Sequence, residues 1–140
     1  MHERMAVLWR GLPNWEATPE VSFSIYGERG IIDWLAWHGA TRTALITELK
    51  SQLVDVQELV GTNDRRVRLA RTIARERGWD AAVVASWIVL EDSRTNRRHL
   101  AQHQTFLRAA FPSDGRAIGR WLRDPTGPIH CLSFLRMTTD

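Results

Sequence analysis

The 140-residue chain is 44% hydrophobic and 25% charged, a balance that supports one sizeable core and argues against disorder. Nineteen basic residues against sixteen acidic ones give a formal charge of +3, and eighteen of the nineteen are arginine, which favours phosphate-bearing partners. A single cysteine, Cys131, excludes an internal disulfide and a cysteine-cluster zinc site, and no apolar run approaches the roughly 20 residues of a membrane helix.

The N-terminal stretch "MHERMAVLWRGLPNW" is too short and too interrupted for a signal peptide, so a reducing cytoplasm without membrane association is the expected setting. The spacing of Met5, Leu8 and Leu12 predicts a helix over residues 2–11, closed by Gly11 and Pro13. "VSFSIY" alternates Val21, Phe23 and Ile25 with smaller polar residues, "GERG" supplies a turn and "IIDWLAW" resumes an extended pattern, together a hairpin. "ALITEL" makes a third strand. Residues 54–77 carry helical spacing at Val56, Leu59, Val60, Val67, Ala70, Ile73 and Ala74 before Gly78, with Arg65, Arg66, Arg68, Arg71, Arg75 and Arg77 as a solvated face. "AAVVASWIVL" reads as a central strand buried on both faces. Helices over 95–110 and 114–123 follow, then a short strand in "IHCLSFLRM" beyond Gly127-Pro128. Trp34, Trp37 and Trp87 lie in apolar strand runs and are expected to pack in the core. No repeat or linker divides the chain, so residues 1–140 are expected to form one α/β domain in the order α-β-β-β-α-β, with helices following.

Side chains alternate along a strand, so Glu48 and Lys50 share a face with Ala44 and Ile46. Asp33 interrupts an otherwise apolar run on the face of Ile31, Leu35 and Trp37, and a buried carboxylate needs a partner, a proton or a metal. If the two strands are neighbours, Asp33 and Glu48 can converge on a hard divalent ion such as Mg²⁺, with the compact Lys50 ammonium beside it. The competing possibility is an exposed Glu48–Lys50 ion pair at a strand end, worth about 0.2–1 kcal/mol.

"IIDWLAW" followed by "ALITELK" resembles the acid-strand and E-x-K-strand signature of the PD-(D/E)xK nucleases. The resemblance implies a restriction-endonuclease-like α-β-β-β-α-β core, with a mixed central sheet flanked by helices and further helices at the C-terminal end. It implies Asp33 and Glu48 as metal ligands, Lys50 as the catalytic lysine, Mg²⁺ or Mn²⁺ as cofactor and hydrolysis of DNA phosphodiester bonds. Glu3 in "HERMAVL" is similar to an extra glutamate on the first helix of archaeal-type Holliday-junction resolvases, and Gln57 in "DVQELVG" to a polar residue on the helix after the E-x-K strand. "EVSFSIYGERG", "LVDVQELVGTNDRRVRLA" and "SRTNRR" also resemble the nuclease-like domain that follows a helix-turn-helix in some regulators from high-GC bacteria. That similarity carries the alternative of a catalytically silent module in a DNA-binding regulator. DNA, and a second copy in a homodimer, are the implied partners. Two departures stand out: Ile31-Ile32 replaces the proline of the signature, and no helix-turn-helix segment is evident.

Outside this constellation, Arg29 is a phosphate candidate beside Glu28. "RTNRR" over Arg94–Arg98 suits either a phosphate or Glu91 and Asp92. His99 and His103 have zinc-compatible spacing without a third ligand. No G-x-S-x-G, G-x-G-x-x-G or Walker sequence occurs.

Overall fold

A computed structural model describes residues 1–135. Its elements are α1 (His2–Arg10), β1 (Trp15–Ile25), β2 (Glu28–His38), β3 (Thr43–Lys50), α2 (Val56–Glu76), β4 (Val83–Glu91), α3 (Arg94–Gln102), α4 (Gln104–Ala110), α5 (Gly115–Arg123) and β5 (His130–Leu135). The expected continuation of the last strand into Arg136 and Met137 lies outside the described residues.

The strands form one mixed sheet in the order β1-β2-β3-β4-β5, antiparallel across the first two pairings and parallel across the last two. The hairpin turn is Tyr26-Gly27, with φ of 50° and 82°, two consecutive left-handed residues that match strand twist in a two-residue turn. Glu28 and Arg29 therefore belong to β2, not to the turn expected at "GERG". β1 also begins six residues earlier than Val21. It runs through Pro19, whose missing N–H an edge strand tolerates, and through Glu20 at φ 51°.

Parallel pairing of β3 with β4 requires a crossover, which α2 provides. Asp55 caps this helix by accepting a 3.0 Å bond from the Glu58 N–H, and Gly78 follows its end at φ 82°. Its Leu69, Ala70 and Ile73 cover Val21, Phe23, Ile25, Leu35 and Ile46. On the opposite face, Met5 and Trp9 of α1 and Ile118, Trp121 and Leu122 of α5 pack over Trp15, Trp34 and Trp87. Trp34 and Trp87 are core residues as expected, whereas half-buried Trp37 stacks on Trp79. β4 is internal and buried along nearly its whole length. No helix among the described residues is long and apolar enough to cross a membrane.

The single helix expected over 95–110 is two. His103 leaves helical geometry at φ −117°, ψ 23°, and the change of direction brings Leu107 and Phe111 under the sheet against Leu59, Ile88 and Leu132. α3 is pinned by buried Asn96. Its Oδ1 accepts from the Leu53 N–H at 2.9 Å, while Nδ2 donates to the carbonyls of Ser51 (3.0 Å) and Glu91 (2.9 Å). One side chain thus ties the segment after Lys50 to the end of β4. Asn96→Ala strands three backbone groups and is expected to cost about 3 kcal/mol in urea denaturation, with cooperativity retained.

Candidate functional site

The pairing of Leu35 with Ile46 and Trp34 with Thr47 brings Asp33 level with Glu48 one step further along. Here the two-residue alternation of β2 slips. Ile32 packs in the cluster beneath α2, yet Trp34 packs on the other side of the sheet. Glu20 and Asp33 form the one step missing from the β1–β2 ladder, and Glu20 takes its left-handed conformation there. This distortion lets Ile32 stay in the core while the next side chain reaches β3. Asp33 Oδ2 accepts a 2.7 Å hydrogen bond from the Leu49 N–H, the amide that follows Glu48 and precedes Lys50 by one residue.

Glu48 is 6% exposed and forms a 3.1 Å ion pair with Arg66 Nη1 of α2. Burial pushes its carboxyl up to about 8. The Arg66 charge opposes that rise, the charge and a hydrogen bond of Asp33 reinforce it, and the Lys50 charge lowers it. The Glu48–Lys50 surface pair considered from spacing is replaced by a buried Glu48–Arg66 pair.

Arg66 is accordingly not part of a solvated face. Its guanidinium lies 5.7 Å from the Phe23 ring centroid and over Gly30, where a β-carbon would come within 2.8 Å of Nη2. Its Nε is buried without a hydrogen-bond partner. The signal was in the spacing: Leu59, Asn63, Arg66, Ala70 and Ile73 advance in steps of four and three along the buried stripe of α2.

Lys50 is exposed at the end of β3 and lines a pocket of about 200 Å³ with Leu53, Asp55, Glu58 and Thr62. Thr62 also borders a smaller pocket of about 70 Å³ walled by Phe23, Arg29, Arg65 and Arg66. Gln57 is exposed and lines neither pocket. Glu58 and Thr62 occupy the stripe that leads to Arg66, and one residue of helical rotation turns Gln57 away from it. Glu3 is exposed on α1, and among the described residues no hydrogen bond or ion pair joins it to Asp33 or Glu48. The structure thus brings Asp33, Glu48 and Lys50 to one edge of α2 and does not bring Glu3 or Gln57 into contact with them.

No protein-family model, curated protein or solved structure matches the chain. The chemistry of the site rests on its own geometry.

Two carboxyls on neighbouring strands, one held by a backbone N–H, suit a hard divalent ion, which takes one or two protein carboxylates and keeps waters or phosphate oxygens for the rest. A bound cation would also offset the repulsion that arises once both Asp33 and Glu48 are ionised. Among the described residues no group of three or more His, Cys, Asp or Glu is placed to hold a metal ion.

Three of the remaining candidates, Glu28, Arg97 and His99, have structural partners. Glu28 pairs with Arg68 at 2.9 Å, and Arg97 pairs with Asp92 at 2.6 Å while lying over Phe134. His99 Nδ1 lies 2.7 Å from the Leu53 carbonyl, which it reaches as a donor. Cys131 is fully buried, and burial pushes its thiol up to about 12, out of the reactive range.

Proposed function

We propose that this chain is a PD-(D/E)xK-type domain that hydrolyses DNA phosphodiester bonds with Mg²⁺, or Mn²⁺ in its place. The observation that carries this is the bond from the Leu49 N–H to Asp33, which fixes one carboxylate against the strand bearing Glu48 and Lys50. Asp33 and Glu48 would hold the ion, which supplies charge neutralisation at the reacting phosphate. Lys50 reaches the same edge from solvent and offers a compact ammonium to the charge that develops on phosphorus oxygens. Arg29 and Arg65 line the smaller pocket, and in this reading they would grip backbone phosphates without reading sequence. The α-β-β-β-α-β order and mixed sheet are compatible with a restriction-endonuclease-like core.

The test is a cleavage assay on linear, single-stranded and branched DNA with Mg²⁺ or Mn²⁺. Cleavage of at least one form, abolished by chelator, is the expected result. DNA binding is expected to weaken steeply between about 50 and 200 mM salt, because neutralising phosphates releases counterions. The Arg66–Glu48 pair favours a second reading, a catalytically silent nuclease-fold module. Absence of cleavage on all three forms, with no stabilisation of the protein by divalent metal, would select it.

A further inference from the structure

Arg66 is the positive charge nearest to the buried carboxyl, and the way it is held is unusual for a permanent structural pair. It meets Glu48 through one nitrogen, Nη1 at 3.1 Å, not through the two-pronged contact that gives arginine–carboxylate pairs their strength. Its buried Nε has no acceptor, so the folded chain leaves one of its donors unsatisfied. The guanidinium packs directly over Gly30, where a β-carbon would crowd both Nη2 and the Phe23 ring at 2.8 Å. The small pocket that Arg66 borders with Arg29 and Thr62 gives the head group room outside the carboxyl cluster. A guanidinium and a divalent ion cannot share Glu48 at this range without strong repulsion, since their charges would face each other across a few ångströms of partly buried space.

We propose that Arg66 is a displaceable internal cation that sets the divalent-metal affinity of the Asp33–Glu48 site, filling the charge deficit when metal is absent and withdrawing when metal binds. It is a positioning residue acting through Glu48, not a catalytic one. The proposal rests on the metal-dependent reading above. It adds that metal affinity is held down by the chain itself, so that phosphate oxygens arriving with DNA help to draw metal in and Arg66 out. Binding of metal and DNA is then mutually reinforcing.

The decisive experiment is calorimetric titration of the full chain with Mn²⁺ and with Mg²⁺ in the absence of DNA, comparing wild type with Arg66→Gln and Arg68→Gln. Arg68 pairs with exposed Glu28 on the same helix, so its substitution controls for the loss of one positive charge. Arg66→Gln is expected to bind Mn²⁺ at least tenfold more tightly than wild type, and Arg68→Gln within about twofold of it. Binding by Arg66→Gln alone would support the proposal equally. Equal or weaker binding by Arg66→Gln, with wild type binding well, overturns the displaceable cation and leaves the metal-dependent reading intact, as does an equal gain in Arg68→Gln. Binding by none of the three overturns both. A measurement on wild type covers the case in which Arg66→Gln does not fold: the Arg66 Nε–H resonance should move as Mg²⁺ saturates the site. A signal that stays in place while metal binds overturns the proposal.

Discussion

Lys50→Arg is expected to leave folding and DNA binding nearly unchanged and to lower Mg²⁺-dependent cleavage by about 10²-fold or more, the scale of losing one positioned group that stabilises a transition state. The substitution conserves charge, so a role that needed only a positive charge in the neighbourhood, and not a compact ammonium held at the reacting phosphate, would survive it. Glu48 takes its ion pair from Arg66, which leaves the Lys50 ammonium exposed at the mouth of the larger pocket. A guanidinium at this position is longer and planar, and it would also face Asp55 and Glu58 across the pocket, which can draw it away from the reacting phosphate. Single-turnover cleavage rates, with DNA affinity measured in the absence of metal, separate the two effects. Wild-type cleavage by Lys50→Arg would remove Lys50 from the chemistry.

Protein stability without metal is expected to fall as pH rises from about 4.5 to about 8, and Glu48→Gln is expected to abolish most of that slope. The folded Glu48 carboxyl is pushed from 4.5 up to about 8, chiefly by burial. Between those values the unfolded chain has released the proton that the folded chain still holds. The unfolded state therefore binds fewer protons, and stability must drop with pH until the folded carboxyl also ionises. The full effect amounts to as much as about 5 kcal/mol. Glutamine keeps an oxygen acceptor toward Arg66 and has no proton to lose, so Glu48→Gln should be the more stable protein at pH 8 and closely matched at pH 5. Urea denaturation at the two pH values is the measurement. Adding Mg²⁺ at pH 8 should recover stability in wild type and not in Glu48→Gln; a pH-independent wild type would mean that Glu48 ionises in the fold without cost.

That Asp33, Glu48 and Lys50 fall close together was legible in sequence because each broke an apolar strand pattern in a way that alternation could phase. Asp33 sat inside "IIDWLAW", and Glu48 and Lys50 ended "ALITELK" two residues apart. The slip at Ile32 was not legible, because it depends on Glu20 adopting φ 51° on the neighbouring strand. Arg66 was hidden among six arginines of one helix. Only its place on the buried stripe set it apart, and a charged residue there makes sense once Glu48 is known to lie opposite. Gln57 and Glu58 illustrate how narrow the margin is on a helix, where one residue is about 100° of rotation. Asn96 gave no local sign of its role, since its three partners are backbone groups of segments 5 to 45 residues away.

The same short stretch that bends β2 at Asp33 also governs what the sheet can join to. β1 is an edge strand, and an unpaired edge is a template for a strand of another molecule. Pro19 has no N–H to offer such a strand, and Glu20, next to it, points its backbone away from extended geometry. An incoming chain would find two short rails, Trp15–Thr18 and Val21–Ile25, with a gap between them that cannot be bridged in register. The distortion that delivers Asp33 to Glu48 therefore doubles as a guard against edge-to-edge growth. A change that straightened it, such as Glu20→Val, whose β-branched side chain disfavours positive φ, together with Pro19→Thr, which restores an N–H, would expose the domain to aggregation through β1 as well as disturb the carboxylate.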